Sequence, residues 1–309
     1  MRAVAIAMPL VAAACFGLAG PQLARRLPPR EATWLISVGA VVSALSAATV
    51  LCLLGAVLLG QLPDIAGLGH WSSAALREHA PTEPGVGVAA LLGALAAGAT
   101  VVFVAVRRAC AVIAAYRACK GMSGEGDLVV IEGSPPTAVA VPGRPGRVVV
   151  SSSLLRLLSP GERRVVLAHE RAHLANGHHW HRSVVAIAIA ANPLLAPLGG
   201  AIAFATERWA DERAAAEVGH RRGAAQALAR VALLTGRSPQ RQPRLAAGQH
   251  AVSERVSALL GDAPEPRPLL SLTVIVLLAA GLLAAAVVEK EIEHVFELAG
   301  HVYQVSRGS

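Results

Sequence analysis

Aromatic and charged residues are scarce in this sequence. Of its 309 residues only 3% are aromatic and 16% charged, where soluble domains carry about 25% charged residues. With 54% hydrophobic residues and a mean hydropathy of +0.53, the deficit argues against an ordinary soluble chain and makes lipid the solvent for part of it. Cysteine is scarce as well. Cys15, Cys52, Cys110 and Cys119 form no C-x-x-C pair, which argues against a disulfide framework or a zinc knuckle; they read as small apolar fillers. The net charge of +8 comes with no helix-turn-helix, zinc finger or aromatic-studded basic strand, so nucleic acid is not an expected partner.

Four apolar runs are present, at about Ala3 to Gly20, Trp34 to Leu59, Gly85 to Val106 and Leu269 to Val288. Each approaches or exceeds the roughly 20 residues that cross a bilayer, and none carries an internal charge. The first run reads alternatively as a signal peptide with an Ala/Gly-rich cleavage region, but Arg25, Arg26 and Arg30 follow at once and resist export. The loops set an orientation. Arginines fill the first loop; the second, from Gly60 to Pro84, holds only Arg77 beside Asp64, Glu78 and Glu83; Arg107, Arg108, Arg117 and Lys120 follow the third run. The positive-inside rule places the N-terminus outside, residues 107–268 in the cytoplasm and the acidic tail outside.

The stretch from 107 to 268 is different. Leu128 to Ile131, Ala138 to Val141 and Val148 to Val150 read as short strands separated by Pro/Gly turns. Ser159-Pro160-Gly161-Glu162 starts a helix, with Ser159 as N-cap, Pro160 as first helical residue and Glu162 as capping-box acid; Asn176-Gly177 stops it. A further apolar stretch from Val184 to Ala205, interrupted at Asn192-Pro193 and Pro197 to Gly200, reads equally as a broken membrane helix, a re-entrant hairpin or a buried amphipathic pair.

The helix carries His169-Glu170-Arg171-Ala172-His173. Residues i and i+4 share a helix face, so both imidazoles can reach one zinc ion at about 2.0–2.1 Å, with Glu170 placed to take a proton from an activated water. The plainer alternative is a pair of surface histidines on an amphipathic helix. A third ligand is needed. Glu207 and Asp211, spaced i, i+4 on a later helix, can act as a carboxylate ligand and as the hydrogen-bond partner of a ligand histidine; the alternative for Glu207 is an ion pair with Arg208 or Arg213. His178, His179 and His181 crowd the helix end and read as interfacial or loop residues, with one of them aiding the site as the alternative. His250 is a candidate donor to the oxyanion, with helix capping as the alternative.

The run Glu162 to His173, followed by Gly177-His178, resembles the core motif of membrane gluzincin peptidases. These include the heat-shock membrane protease and CAAX-prenyl protease family and the antirepressor peptidases of β-lactam sensor-transducers. Asn192-Pro193-Leu194 and Glu207-Arg208-Trp209-Ala210-Asp211 resemble the sensor-transducer branch, and His250 to Leu260 resembles a downstream segment less specifically. The resemblance covers about residues 125 to 260 and implies His169, His173 and Glu207 as zinc ligands, Glu170 as general base and Asp211 as support. Arg171 and Ala172 stand where the family usually has apolar and small residues, so a more polar helix face is expected. No sensor domain is expected after the last apolar run.

The expected protein is thus an α+β membrane protein, mainly helical, with about four transmembrane helices and a zincin-like metalloprotease domain holding a small β-sheet. Its parts are a membrane domain of three spans (1–106), the protease domain (107–268) with an apolar insert at 184–206, a C-terminal span (269–288) and a short external tail (289–309). The expected activity is zinc-dependent hydrolysis, with one zinc per chain, of membrane-associated or cytoplasmic regulatory proteins at the cell membrane; protein or peptide substrates and membrane lipid are the partners. Two rivals stand beside it: a catalytically silent membrane signalling protein that uses the same fold to bind a partner, and a transporter or channel with a structural zinc.

Overall fold

The computed structural model describes residues 2–120, 124, 126–132, 135–235 and 245–308. Helices α1 (Arg2–Arg26), α2 (Pro29–Gly60) and α5 (Pro84–Lys120) and the last helix, α12 (Pro268–Gly308), are each long and apolar enough to cross a membrane. All four run past the apolar segments read from the sequence: α1 continues through Pro21 to Arg26, and α5 and α12 carry on through polar residues to Lys120 and Gly308. Between α2 and α5 lie two short helices, α3 (Pro63–Gly69) and α4 (Ser73–Glu78). The tail expected after the last span is not separate: it continues α12. Its far end packs Val295 and Ala299 against Ala75 and Leu76 of α4, and the Ser72 N–H donates to Ala299 O at 2.9 Å.

A three-stranded sheet follows α5: β1 (Leu128–Ile131), β2 (Ala138–Val141) and β3 (Arg147–Ser151), in the order β1-β3-β2. β3 is parallel to β1 and antiparallel to β2, with Leu128 opposite Val148 and Val139 opposite Val149. The strands sit where the sequence places them. The short helix α6 (Ser152–Leu157) and then α7 (Pro160–Ala175) come next. Val166 of α7 joins Val148, Val150, Leu154 and Leu158 in one core.

The apolar stretch of undecided geometry forms a helical hairpin. Helix α8 (His178–Ala191) ends at Asn192, a 3-10 turn covers Pro193–Leu195, and α9 (Leu198–Val218) returns alongside. The tip reaches into the apolar bundle. Gly17 of α1 lies so close to it that a Cβ there would stand 2.3 Å from Leu194 O, and Thr100 of α5 donates to Ala190 O at 2.7 Å. Val185, Leu195, Leu198 and Ile202 of this segment are buried with Phe16 of α1, Leu27 of the α1–α2 turn, Ile36 of α2 and Leu278 of α12. Helices α10 (Arg221–Thr235) and α11 (Leu245–Leu260) then pack on the emerging half of α9.

Arg208 of α9 is buried, and its Nη1 donates to the carbonyls of Ala24, Arg25 and Leu27 at 2.7, 3.2 and 3.2 Å. It therefore satisfies carbonyls at the end of α1 that have no partner within that helix, and is not the ion-pair partner of Glu207 that the sequence offered. Arg25 in turn pairs with Glu254 of α11 at 3.1 Å. The end of α1 is thus tied to α9 and α11, the helices that carry Glu207, Asp211 and Arg255.

Candidate active site

Helix α7 begins as its sequence dictates. The Glu162 N–H donates to Ser159 Oγ at 3.4 Å and the Ser159 N–H to the Glu162 carboxylate at 2.7 Å, a closed capping box with Pro160 in the first turn. The helix ends at Ala175, and Gly177 turns the chain with φ +59°, a left-handed conformation natural to glycine. Buried Val165, Val166, Ala168 and Ala172 fix the face turned to the core. Arg171 points elsewhere. It is exposed and grips Asp127 bidentately at 2.8 and 2.9 Å, so the polar residue that departs from the family pattern ties α7 to the entry of β1.

The Nε2 atoms of His169 and His173 lie 3.1 Å apart, and each is 3.5 Å from an oxygen of Glu207. Tetrahedral zinc with ligands at 2.0–2.1 Å holds neighbouring ligand atoms about 3.4 Å apart, so these three side chains fit such an ion; among the described residues they are the group able to hold a metal. Both imidazoles are oriented from behind. His169 Nδ1 lies 3.0 Å from Asp211 Oδ1, and His173 Nδ1 lies 2.7 Å from His178 Nδ1. A proton on Nδ1 of His169, donated to Asp211, and one on Nδ1 of His173, donated to His178 Nδ1, leave the Nε2 lone pairs of both ligands on the side of Glu207. His178 and His181 are therefore not loop residues: both are buried in α8, because Gly177 restarts the chain as a helix one residue before His178 and turns both rings towards Trp209. His250 lies in the first turns of α11, and its side chain falls outside the described residues.

Two arginines complete the cluster, and neither was visible as a site residue in the sequence. Arg255 of α11 donates from Nε and Nη2 to the two oxygens of Asp211, both at 2.7 Å, and its Nη1 lies 3.0 Å from Glu207 Oε2. Arg182 of α8 donates from Nη2 to Glu207 Oε1 at 2.7 Å and from Nε to Thr206 Oγ1 at 2.9 Å. No periodicity or spacing links these positions to His169; only the packing of α8, α9 and α11 does.

The electrostatics follow from burial and these partners. Burial pushes the Glu170 carboxyl up, against the nearby His169, and the Ala140 backbone N–H holds it. Burial opposes charge on His169, but the Asp211 and Glu207 carboxylates outweigh it and push its pKa up to about 10. Burial pushes His173 down to about 4, against Glu207. Burial works against the charge of Glu207 too, yet His169 and Arg255 hold it well below the usual carboxylate range. Among the described residues the arginines paired with Glu207 and Asp211 are Arg182 and Arg255, so with Glu170 the three carboxyl groups outnumber the guanidinium groups by one. The raised His169 expresses the same imbalance.

The model of Peptidase family M48 matches residues 105–261, half of the chain. The chain belongs to peptidase family M48. No curated protein and no solved structure matches it. As an M48 member it is a metallopeptidase acting on protein or peptide substrates, and its four long apolar helices associate it with a membrane. The likeness to membrane gluzincin peptidases drawn from the sequence holds at the level of this family, and the matched stretch brackets it. The α+β architecture with a small sheet is the one expected of it. In this M48 chain the matched residues hold all four helices of the cluster, α7, α8, α9 and α11.

Proposed function

We propose that this M48 peptidase is a membrane-embedded zinc metalloendopeptidase with one zinc per chain, held by His169, His173 and Glu207, and with Glu170 as general base. The observation that carries the reading is the convergence of two Nε2 atoms and one carboxylate at tetrahedral spacing. Three protein ligands characterise catalytic zinc sites, whereas structural sites are closed by four. Bound zinc would polarise the scissile carbonyl and acidify the attacking water. Glu170 takes the proton of that water and passes it to the leaving amine. Its raised pKa suits the task, since a base works best with a pKa near the operating pH. Asp211 and His178 hold the two ligand imidazoles in the required tautomer.

The sheet supports a peptide bound in extended form. The Ser151 N–H donates to Thr137 O, so Thr137, Val139 and Val141 turn their backbone groups to β3, and those of Ala138 and Ala140 point away. β2 is an edge strand, and the outward N–H of Ala140 already meets Glu170. A substrate strand paired on that edge would lie beside the base.

The site belongs to the end of the bundle where α1 ends and α2 begins: His181 Nδ1 meets Ser37 Oγ at 2.9 Å and Trp34 stacks edge-on to His181. Arg25, Arg26 and Arg30 mark that end, which supports a cytoplasmic protease domain at the cell membrane. Chains near the membrane surface are then the natural substrates, and the likeness to antirepressor peptidases favours regulatory proteins. Exposed Leu92, Leu95, Val102 and Phe103 on α5 suit a lipid contact. The orientation is tested by a single cysteine replacing exposed Arg156 of α6, close to Ser151, in a chain lacking Cys15, Cys52, Cys110 and Cys119. It should resist an impermeant maleimide in intact cells and react after lysis; labelling of intact cells would reverse the topology.

The metal assignment is tested by elemental analysis of the purified protein. About one zinc per chain is expected, and His169→Ala should abolish it. Unchanged zinc in His169→Ala would remove His169 from the site.

A further inference from the structure

Two guanidinium groups touch Glu207, and they are not equivalent. Arg255 is only 11% exposed, and all three of its nitrogens are engaged, two on Asp211 and one on Glu207. Arg182 is 35% exposed. Its Nε donates to Thr206 Oγ1 at 2.9 Å, and its Nη2 donates to Glu207 Oε1 at 2.7 Å and to Ala203 O at 3.3 Å. These anchors, all on α9, fix the plane of the guanidinium. Its Nη1 has no hydrogen-bond partner among the described residues. Glu207 Oε1, the atom Arg182 holds, is the oxygen 3.5 Å from His173 Nε2. An oriented, partly exposed cation with unused N–H groups thus stands one carboxylate oxygen away from the point where the three ligand atoms converge.

Resting on the zinc-peptidase reading, we propose that Arg182 is a catalytic residue, whose Nη1 donates to the scissile carbonyl oxygen as that oxygen becomes negative. The water oxygen bonds to the carbonyl carbon, the C=O π pair moves onto the carbonyl oxygen, and Glu170 takes the water proton. The pair then returns, the C–N bond breaks, and the proton passes to the departing nitrogen, so that water and an amide become a carboxylic acid and an amine. Charge on the carbonyl oxygen exists only between these two events. A donor fixed in advance by Thr206, Ala203 and Glu207 stabilises that charge without having to reorganise. The sequence offered His250 as a candidate donor beside a capping role; Arg182 fills the donor role from the opposite side of the chain order, on the helix that follows His173.

The competing account is that Arg182 only neutralises Glu207 and ties α8 to α9. The probe that separates the two is N-phosphoryl-Leu-Trp, a tetrahedral phosphoramidate whose anionic oxygens mimic the charged carbonyl, with N-acetyl-Leu-Trp as the uncharged-headgroup control. Zinc content and probe affinity are measured on the full chain in detergent for wild type, Arg182→Met and Arg182→Lys. At full zinc occupancy, Arg182→Met should bind the phosphoramidate about 10²-fold more weakly, with N-acetyl-Leu-Trp binding unchanged. Arg182→Lys, which keeps the charge on Glu207 but lacks the planar fork, should hold zinc and still lose about 10-fold. This second variant decides the matter if Arg182→Met does not fold. Wild-type phosphoramidate affinity in zinc-loaded Arg182→Lys overturns the proposal, as does zinc-loaded wild type that fails to bind the probe. A wild type that binds no zinc overturns the metal assignment instead.

Discussion

Glu170→Gln should keep about one zinc per chain and lose peptide cleavage by a factor of about 10² or more. The amide fills the same space and leaves His169, His173 and Glu207 untouched, but it cannot accept the proton of the attacking water. Glu207→Gln should behave differently, because it removes a charged ligand from a cluster already one cation short, and both metal and activity should fall. Asp211→Asn lies between them: the His169 imidazole loses its charged partner at 3.0 Å, and about 10- to 100-fold in affinity or rate should go with it. The order of the three variants matters more than any one value. A structural zinc would make Glu170→Gln silent and confine every effect to stability. Zinc stoichiometry and cleavage of casein by the three variants in detergent decide the question, and a Glu170→Gln protein that cleaves as fast as wild type would end the peptidase mechanism proposed for this site.

What could be read from the sequence was local. The three strands, the capping box on α7 and its stop at Gly177 depend on a few adjacent residues, and the chain adopts them. The pairing of His169 with His173 is local too, since four residues make one helical turn. That Glu207 and Asp211 should meet this pair needed the further assumption that their helix packs on α7, and the i, i+4 spacing alone could not supply it. The hairpin of α8 and α9 stayed undecided because Asn192 and Pro193 break a helix equally well at a membrane surface or within a bundle. The closeness of Gly17 to Leu194 is a property of packing. Arg182, Arg255 and Arg208 were beyond local reasoning altogether. Each is one of many arginines in a basic chain, and nothing in its neighbours tells the arginine that binds Asp211 from one that faces water. The sequence reading offered Arg208 to Glu207 because they adjoin; on a helix, adjacent residues point about 100° apart, and Arg208 turns to α1 for that reason.

Arg255→Met should be the most destabilising single change in the site that leaves every proposed zinc ligand in place. Arg255 is 11% exposed and Asp211 4% exposed, and the two share a bidentate contact at 2.7 Å. Removing the guanidinium leaves Asp211 buried with only the His169 ring beside it and deprives Glu207 of one of its two arginines. Breaking a buried pair from one side costs about 3–5 kcal/mol, mostly as the charge left behind, and a domain of this size loses roughly 10 °C or more in its unfolding midpoint for that amount. The neighbouring pair supplies a contrast. Arg25 and Glu254 are 48% and 30% exposed, so Arg25→Gln should cost less than about 1 kcal/mol, although Glu254 and Arg255 are adjacent in the chain. The double variant Arg255→Met/Asp211→Asn separates lost charge compensation from lost packing. If the cost is the stranded carboxylate, neutralising Asp211 should recover most of the midpoint lost in Arg255→Met, a coupling of more than about 1 kcal/mol. If Arg255 matters only by filling space between α9 and α11, the two changes should add. Thermal unfolding of the four proteins in the same detergent and with the same chelator distinguishes the outcomes. An Arg255→Met protein that unfolds with wild type would show that this ion pair does not hold α11 against the site.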